Sequence, residues 1–144
     1  MKIQIELLTD TAIVPTRATK QSAGYDLYSD LLTPIEISSG ETKLIPTGIC
    51  VALPENTFGG IFARSGLATR QGLRPSNCVG VIDSDYRGEI KVALRNDSKN
   101  IQIIEPKQRI AQLVIMPFIS GEFEIVDELN KTERNNGGFG STGK

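Results

Sequence analysis

A short charged segment holds the residue types best suited to acid–base chemistry. Asp83-Ser84-Asp85-Tyr86-Arg87-Gly88 lies between an apolar run at 79–82 and an alternating strand pattern that begins at Glu89. A carboxylate at the end of a strand can serve as a general base, and the face of a tyrosine ring can pack on a sugar. The same residues also form an ordinary solvated turn at the tip of a hairpin. Composition alone leaves both interpretations open.

A second segment, Ala63-Arg64-Ser65-Gly66-Leu67, has residue types that suit a phosphate. Arg64 offers a fork of donors, Ser65 offers a hydroxyl and backbone N–H groups, and Gly66 lets a ligand approach the backbone. The segment also predicts a short helix over 65–72 that is capped by Ser65 and ended by Gly72. An ordinary helix cap explains Ser65 equally well.

The glycine-rich end of the chain differs from the rest in composition. Residues 131–144 contain a single large apolar residue, Phe139, so we predict a mobile arm that follows a folded domain at 1–130. Gly138 to Lys144 match the spacing of a phosphate-binding P-loop, but no Ser or Thr follows Lys144 and no strand leads in. We therefore reject a P-loop, although glycine N–H groups and hydroxyls in such an arm can still wrap a phosphate chain.

Composition excludes several classes of site. The 144 residues include 16 Lys and Arg, 17 Asp and Glu, two Cys and no His, with a net charge of −1. A Ser-His-Asp triad, a Cys-His dyad and a His-ligated metal are therefore impossible within the chain. The near-neutral charge and the absence of long apolar runs predict neither direct nucleic-acid binding nor a membrane span. We expect Cys50 and Cys78 to be buried free thiols in a reducing cytoplasm.

A metal bound by this chain would need oxygen ligands, which favours Mg²⁺, Mn²⁺ or Ca²⁺. Several acidic side chains are available, but no spacing rule selects among them. The candidates are Asp26, Asp30, Asp83, Asp85 and Glu89.

The elements that position these residues are predicted to be strands. The chain has 17 Ile, 7 Val and 11 Thr, punctuated by 14 Gly and 7 Pro, which is typical of an all-β protein. About ten short strands favour a jelly roll or a closed barrel. The predicted runs lie at 3–7, 35–37, 43–45, 49–53, 58–63, 79–82, 90–94, 101–104, 110–118 and 123–126.

Taken together, five segments resemble the motifs of the trimeric deoxyuridine triphosphatases (dUTPases), in family order. The resemblance spans residues 23–143, and five ordered motifs are far more specific than any one of them. The segments are Ala23-Gly24-Tyr25-Asp26-Leu27-Tyr28-Ser29, Arg64-Ser65-Gly66-Leu67-Ala68, Gly80-Val81-Ile82-Asp83-Ser84-Asp85-Tyr86-Arg87-Gly88, Arg109-Ile110-Ala111-Gln112-Leu113, and Arg134-Asn135-Asn136-Gly137-Gly138-Phe139-Gly140-Ser141-Thr142-Gly143.

The resemblance implies a jelly-roll-like β-barrel that assembles as a homotrimer with three active sites shared between subunits. It also implies that dUTP and water give dUMP and pyrophosphate, with Mg²⁺ on the triphosphate. Such a reaction keeps uracil out of DNA and supplies dUMP for thymidylate synthesis. The alternatives are a dCTP deaminase, which is a relative of similar fold, and a regulatory protein that binds a partner when loaded with nucleotide.

The resemblance also implies residue roles. Asp83 would orient and deprotonate the attacking water, and Gln112 would hold the α-phosphate and that water. Asp26 would hold the Mg²⁺ shell, through water. In the substrate-binding set, the phosphates would be bound by Arg64, Ser65 and Gly66, and the uracil by Asn77 and the hairpin backbone of Gly80, Val81 and Ile82. Tyr86 would pack under the deoxyribose. The residues that close over the nucleotide would be Arg134, Phe139, Gly140, Ser141 and Thr142, with Phe139 stacked on the base.

Two positions depart from the common family pattern. Ala63 stands where many members have Pro, and Asn135 stands where many have Gly. Neither change removes a catalytic group, but the second bears on how the arm around Arg134 closes.

Overall fold

The computed structural model describes residues 2–138, and in that part of the chain the fold is almost entirely β. Eleven strands and one short helix are found there. The strands are β1 (Gln4–Leu7), β2 (Tyr25–Tyr28), β3 (Ile35–Ile37), β4 (Thr42–Pro46), β5 (Ile49–Ala52), β6 (Thr57–Phe62), β7 (Leu73–Pro75), β8 (Gly80–Ile82), β9 (Lys91–Asn96), β10 (Gln102–Ile104) and β11 (Arg109–Pro117), and the helix is α1 (Ser65–Gln71).

The strands pair antiparallel in four sheets rather than in one continuous closed ladder. The largest sheet has the order β2-β11-β6-β8, and the others are β4-β9-β7, β1-β5 and β10-β3. Neighbours in each sheet come from distant parts of the chain, as expected for a jelly roll. The long central strand β11 thus brings together residues of β2 and β6.

Apolar side chains on the inward faces of these sheets form one core. The alternation predicted for the strand at 90–94 is confirmed, since Ile90, Val92 and Leu94 are fully buried while Lys91 is exposed. The other buried members are Leu27, Ile37, Ile45, Ile49, Val51, Leu53, Ile61, Leu67, Leu73, Ile104, Ile110, Ala111 and Leu113.

The predicted strands are mostly confirmed, with three differences. Strands β2 and β7 were not predicted, because each is only three or four residues long and carries polar residues. The strand predicted at 123–126 is wrong, since that segment has no regular secondary structure and belongs to none of the sheets. A strand needs a partner for its backbone groups, and the chain presents none there.

The predicted helix is confirmed, but its cap is not Ser65. The helix begins at Ser65, Arg64 is the N-cap with extended backbone, and no side chain makes the capping hydrogen bond. Gly72 ends the helix as predicted, with a left-handed φ of 67°. Ser65 therefore does not use its hydroxyl as a cap, which leaves the functional interpretation of that hydroxyl standing.

Several apolar side chains remain outside the core. The alternation in β1 does form a strand, yet all four of its residues are exposed. Phe123 and Ile125 are fully exposed, at 103% and 100%. These apolar side chains, in two separate segments, are exposed to solvent rather than packed on the core.

The helix is also too short to cross a membrane. Among residues 2–138, none of the helical structure is long and apolar enough for a span.

Candidate active site

A broad cleft of about 690 Å³ lies where β2, β6, β11 and α1 meet. It gathers residues from three of the predicted motifs, far apart in sequence. Its polar lining includes Asp26, Arg64, Ser65, Gly66, Arg70, Arg109 and Gln112. Three guanidinium groups and one carboxylate give the cleft an excess of positive charge, which suits a phosphate chain.

The carboxylate of Asp26 is held by two arginines. Arg64 Nε donates to one oxygen at 2.8 Å, and Arg109 donates to the other at 3.3 Å. The Asp26 side chain is only 15% exposed, so the pairs are partly shielded from solvent. Asp26 thereby fixes the directions in which both guanidinium groups face the cleft.

Gln112 lies in the central strand β11, opposite Asp26 of β2 on one side and Phe62 of β6 on the other. Its Nε2 donates to the carbonyl oxygen of Ala63 at 2.9 Å. Only the amino group can donate, so this bond identifies Oε1 as the acceptor end of the amide. Within the described residues, the second N–H and Oε1 make no further hydrogen bond.

The segment after β6 carries the remaining phosphate candidates. Ser65 is exposed in the first turn of α1, and the space above Gly66 is open apart from the guanidinium of Arg70, 3.7 Å from where a Cβ would lie. The structure therefore brings Arg64, Ser65 and Gly66 together with Gln112 and Asp26 around one cleft.

The remaining predicted residues of the third motif lie away from this cleft. The segment from Asn77 to Ile82 is not a hairpin, because β7 pairs with β9 whereas β8 pairs with β6. It is instead a tight turn between two sheets, in which the N–H of Cys78 donates to the Pro75 carbonyl at 3.1 Å. Gly80 is buried, while Asn77 and Val81 are exposed.

Asp83 follows β8 in a turn closed by the N–H of Tyr86, which donates to the Asp83 carbonyl at 3.2 Å. This turn is not the tip of a hairpin either, because β8 and β9 belong to different sheets. The carboxylate of Asp83 is exposed, and no hydrogen bond or ion pair in the described part of the chain engages it. It is thus available to a ligand.

The sheet register separates Asp83 from Arg64. Ile82 of β8 lies opposite Gly59 of β6, and Gly80 lies opposite Ile61. The chain after Ile82 therefore runs beyond Gly59, away from Phe62. Asp83 thus lies near the opposite end of β6 from Arg64. A strand advances about 3.3 Å per residue, so the two residues are separated by roughly 15–20 Å along the sheet.

The predicted arm is described only in part. Arg134 Nε donates to the Gly137 carbonyl at 2.9 Å, and Asn135 has a left-handed φ of 40°. Glycine adopts that conformation most easily, so Asn135 holds a backbone shape that is less favourable for a residue with a side chain. Phe139, Gly140, Ser141 and Thr142 lie outside the described residues.

One prediction about the cysteines is wrong. Cys50 is buried as expected, but Cys78 is exposed, with a left-handed φ of 62° in the turn after Pro75. The apolar neighbours of Cys78 in sequence gave the wrong indication, because the turn directs the residue outward. Burial, followed by the charges of Glu6 and Glu89, raises the pKa of the Cys50 thiol.

Sequence reasoning also missed two cleft residues. Arg70 lies four residues after Gly66, a spacing that puts both on one helix face, so a signal was present. Arg109 belongs to the fourth motif, but nothing in its local sequence indicates that its side chain pairs with Asp26. That pairing depends on the register between β2 and β11.

The fold and the cleft define a jelly-roll protein with a positively charged cleft, and comparisons with known proteins define it further. The family model described as dUTPase matches residues 10–143. The chain is 46% identical over 144 residues to the deoxyuridine 5'-triphosphate nucleotidohydrolase of Nautilia profundicola, covering 100% of both chains. It is 45% identical to the enzyme of the same name from Clostridioides difficile, covering 98% of this chain and 97% of that one.

Solved structures agree. The dUTPase of Staphylococcus bacteriophage 80alpha, solved with dUpNHpp, superposes with a TM-score of 0.90 at 30% identity, covering 99% of each chain. A variant dUTPase from phage phi11 of S. aureus, solved to show the coordination of a structural Mg(II) ion, superposes with a TM-score of 0.82 at 25% identity, covering 91% of this chain and 100% of that one. The chain belongs to the dUTPase family, and it is a hydrolase.

Proposed function

We propose that this dUTPase hydrolyses dUTP to dUMP and pyrophosphate, with Asp83 as the general base that activates water for attack on the α-phosphorus. Family membership and the two relatives named for this reaction support the substrate. The observation that carries the mechanism is the cationic cleft with Gln112 fixed at its centre. Phosphoryl transfer needs positioning and charge stabilisation more than a covalent nucleophile, so a chain without histidine can perform it.

Within the cleft, Arg64, Ser65 and Gly66 would bind the phosphates. Gln112 would use its remaining N–H on the α-phosphate and Oε1 on the attacking water. Since the bond to Ala63 already fixes the amide, these contacts need no reorganisation during the reaction.

The nucleoside would lie against the third motif. Asn77 and the backbone of Gly80, Val81 and Ile82 would contact the uracil and leave no room for a thymine methyl. Tyr86 would pack under the deoxyribose and exclude a 2′-hydroxyl. The arm residues Arg134, Phe139, Gly140, Ser141 and Thr142 would close over the nucleotide.

The separation of Asp83 from Arg64 supports a homotrimer with shared sites. A triphosphate held by Arg64 cannot present its α-phosphorus to a base some 15–20 Å away along the same sheet. A base from a second subunit removes this difficulty. The exposed Phe123 and Ile125 support assembly too, since burying each such side chain contributes about 1.5–3 kcal/mol.

Mg²⁺ fits this site as an ion held largely by the substrate. Among residues 2–138 there is no group of three or more acidic or cysteine side chains that could hold a metal. Mg²⁺ in nucleotide sites commonly uses one or two carboxylates, water and phosphate oxygens, and Asp26 is the carboxylate of this cleft. When bound, the ion would neutralise charge on the triphosphate, with Asp26 holding it through water.

We place the reaction in the cytoplasm, or in the host compartment for a phage or viral source. Two free cysteines support a reducing environment. The deaminase alternative is not favoured, since the relatives are named for nucleotide hydrolysis.

The test of the function is pyrophosphate release from dUTP, dTTP, dCTP and UTP, with and without Mg²⁺. We expect rapid release from dUTP alone and dependence on the ion. Ammonia from dCTP would support the deaminase instead. Release from all four nucleotides would contradict the proposed base and sugar contacts.

The test of assembly is light scattering, which should give three times the 15.7 kDa chain mass. Mixing chains that carry Asp83→Asn with chains cut after Asn130 should restore activity that neither parent shows, if base and arm come from different subunits. An active monomer would contradict the shared site.

A further inference from the structure

The amide of Gln112 occupies the space that a side chain at position 24 would fill. A Cβ placed on Gly24 would lie 3.1 Å from the Gln112 Cδ, 3.2 Å from its Cβ and closer still to Oε1. Contacts of that kind force one of the two groups to move. Gly24 immediately precedes β2, the strand that pairs with β11 beside Gln112.

The backbone itself does not require glycine at this position. In the described part of the chain, the glycines with positive φ are Gly40, Gly48 and Gly72, and Gly24 is not among them. Any residue could adopt its backbone conformation, so the feature that the structure uses is the missing side chain.

We propose that Gly24 is a positioning residue, whose lack of a side chain lets the Gln112 amide keep its bond to Ala63 and its place in the lining of the cleft. This proposal rests on the role of Gln112 in dUTP hydrolysis proposed above. The amide is fixed by its bond to the Ala63 carbonyl at 2.9 Å, and it lies in the space that a side chain on Gly24 would need. A methyl group at position 24 displaces the carbonyl end of the amide first, because Oε1 is the nearest atom.

The experiment compares Gly24→Ala with wild type in the presence of dUTP. Displacing a reacting group by about 1 Å can cost about 10²-fold in rate, so we expect kcat to fall by about that factor. KM should change less than about threefold, because the arginines and Ser65 still bind the phosphates. Gly121→Ala is the matched control, since a Cβ there meets nothing within 4 Å and kcat should be unchanged.

A double-mutant cycle with Gln112→Ala distinguishes positioning from a general packing effect. If Gly24 acts through the amide, adding Gly24→Ala to Gln112→Ala should cost less than about threefold more, because the group it positions is gone. A full additional loss in that background would overturn the proposal, as would an unchanged kcat in Gly24→Ala alone.

The experiment also distinguishes the two interpretations if Gly24→Ala fails to fold. If Gly24→Ala unfolds but the double variant folds and matches Gln112→Ala in rate, the conflict is with the amide and the proposal stands. If the double variant unfolds while Gln112→Ala folds, the glycine serves packing alone and the proposal is overturned. A wild-type chain that does not hydrolyse dUTP would instead refute the proposed function, which the same assay reports separately.

Discussion

The Tyr86 hydroxyl lies over Gly88 and donates a hydrogen bond to the carbonyl oxygen of Glu89 at 3.1 Å. A Cβ on Gly88 would come within 2.6 Å of the Tyr86 Cζ. The position of the ring therefore depends on the absence of a side chain two residues later. Since Gly88 is not among the glycines with positive φ, its backbone places no demand of its own.

This contact predicts that Gly88→Ala relaxes sugar selectivity. The methyl group displaces the ring proposed to exclude a 2′-hydroxyl, and one such contact is worth about 1–3 kcal/mol, or about 10–200-fold. The ratio of kcat/KM for dUTP to that for UTP should fall by at least about tenfold. Gly121→Ala should leave the ratio unchanged. A folded Gly88→Ala protein with full selectivity would mean that the Tyr86 ring does not determine it.

The turn after β8 offers a matched pair of carboxylates for testing the base. Asp83 and Asp85 are two residues apart and both exposed. Asp83→Asn should fold, bind dUTP and lose about 10²–10⁴-fold in kcat, since a general base contributes about that factor. Asp85→Asn should retain most activity, because the proposed mechanism assigns the general base to Asp83 alone. The rates are measured by pyrophosphate release. If Asp83→Asn is as active as Asp85→Asn, Asp83 is a turn residue and not the general base.

Local patterns predicted most of the strands because β-branched residues and turn formers act locally. The strand at 90–94 shows this best, since its alternation matches its burial. β2 could not be found that way. Tyr25, Asp26 and Tyr28 are polar or amphipathic, and the strand exists because β11 pairs with it.

For the residues proposed to bind phosphate, the sequence predicts which side chains take part, but it does not predict which groups those side chains contact. Arg64 and Gln112 were identified through motifs that resemble the family. Their partners, the Asp26 carboxylate and the Ala63 carbonyl, are set by pairing between strands far apart in sequence. The same limit applies to the role proposed for Gly24, which depends on Gln112 lying where a side chain at position 24 would be.

The two cysteines should differ sharply in reactivity. Cys78 is exposed, whereas Cys50 is buried and its thiol pKa is raised, first by burial and then by Glu6 and Glu89. The thiolate is the reactive form, so Cys50 should stay unreactive until the pH rises above the ordinary thiol range. A thiol reagent at pH 8 should therefore label one cysteine per chain quickly. Cys78→Ser should abolish that fast phase, and a fast phase that survives would come from Cys50 and contradict its burial.

Residues after Asn130 should matter for turnover but little for stability. The described part of this segment makes only local hydrogen bonds, such as the one from the N–H of Asn135 to the Thr132 hydroxyl at 3.0 Å. Residues 131–136 are exposed, so within the described part of this segment cutting the chain after Asn130 removes no buried side chain. The melting temperature should shift by no more than about 4 °C, as for a change of under 1 kcal/mol.

Turnover should fall by about two orders of magnitude in the same truncated chain. The arm is proposed to close over the nucleotide and exclude water other than the nucleophile, so its loss removes interactions made during the reaction. Phe139→Ala should reproduce part of the loss, since it removes the proposed stacking on uracil. Phe139→Trp should keep most activity and add a fluorescent reporter to a chain with no tryptophan, with quenching on addition of a non-hydrolysable dUTP analogue. A truncated protein that hydrolyses dUTP at the full rate would remove Arg134 and the residues after it from the site.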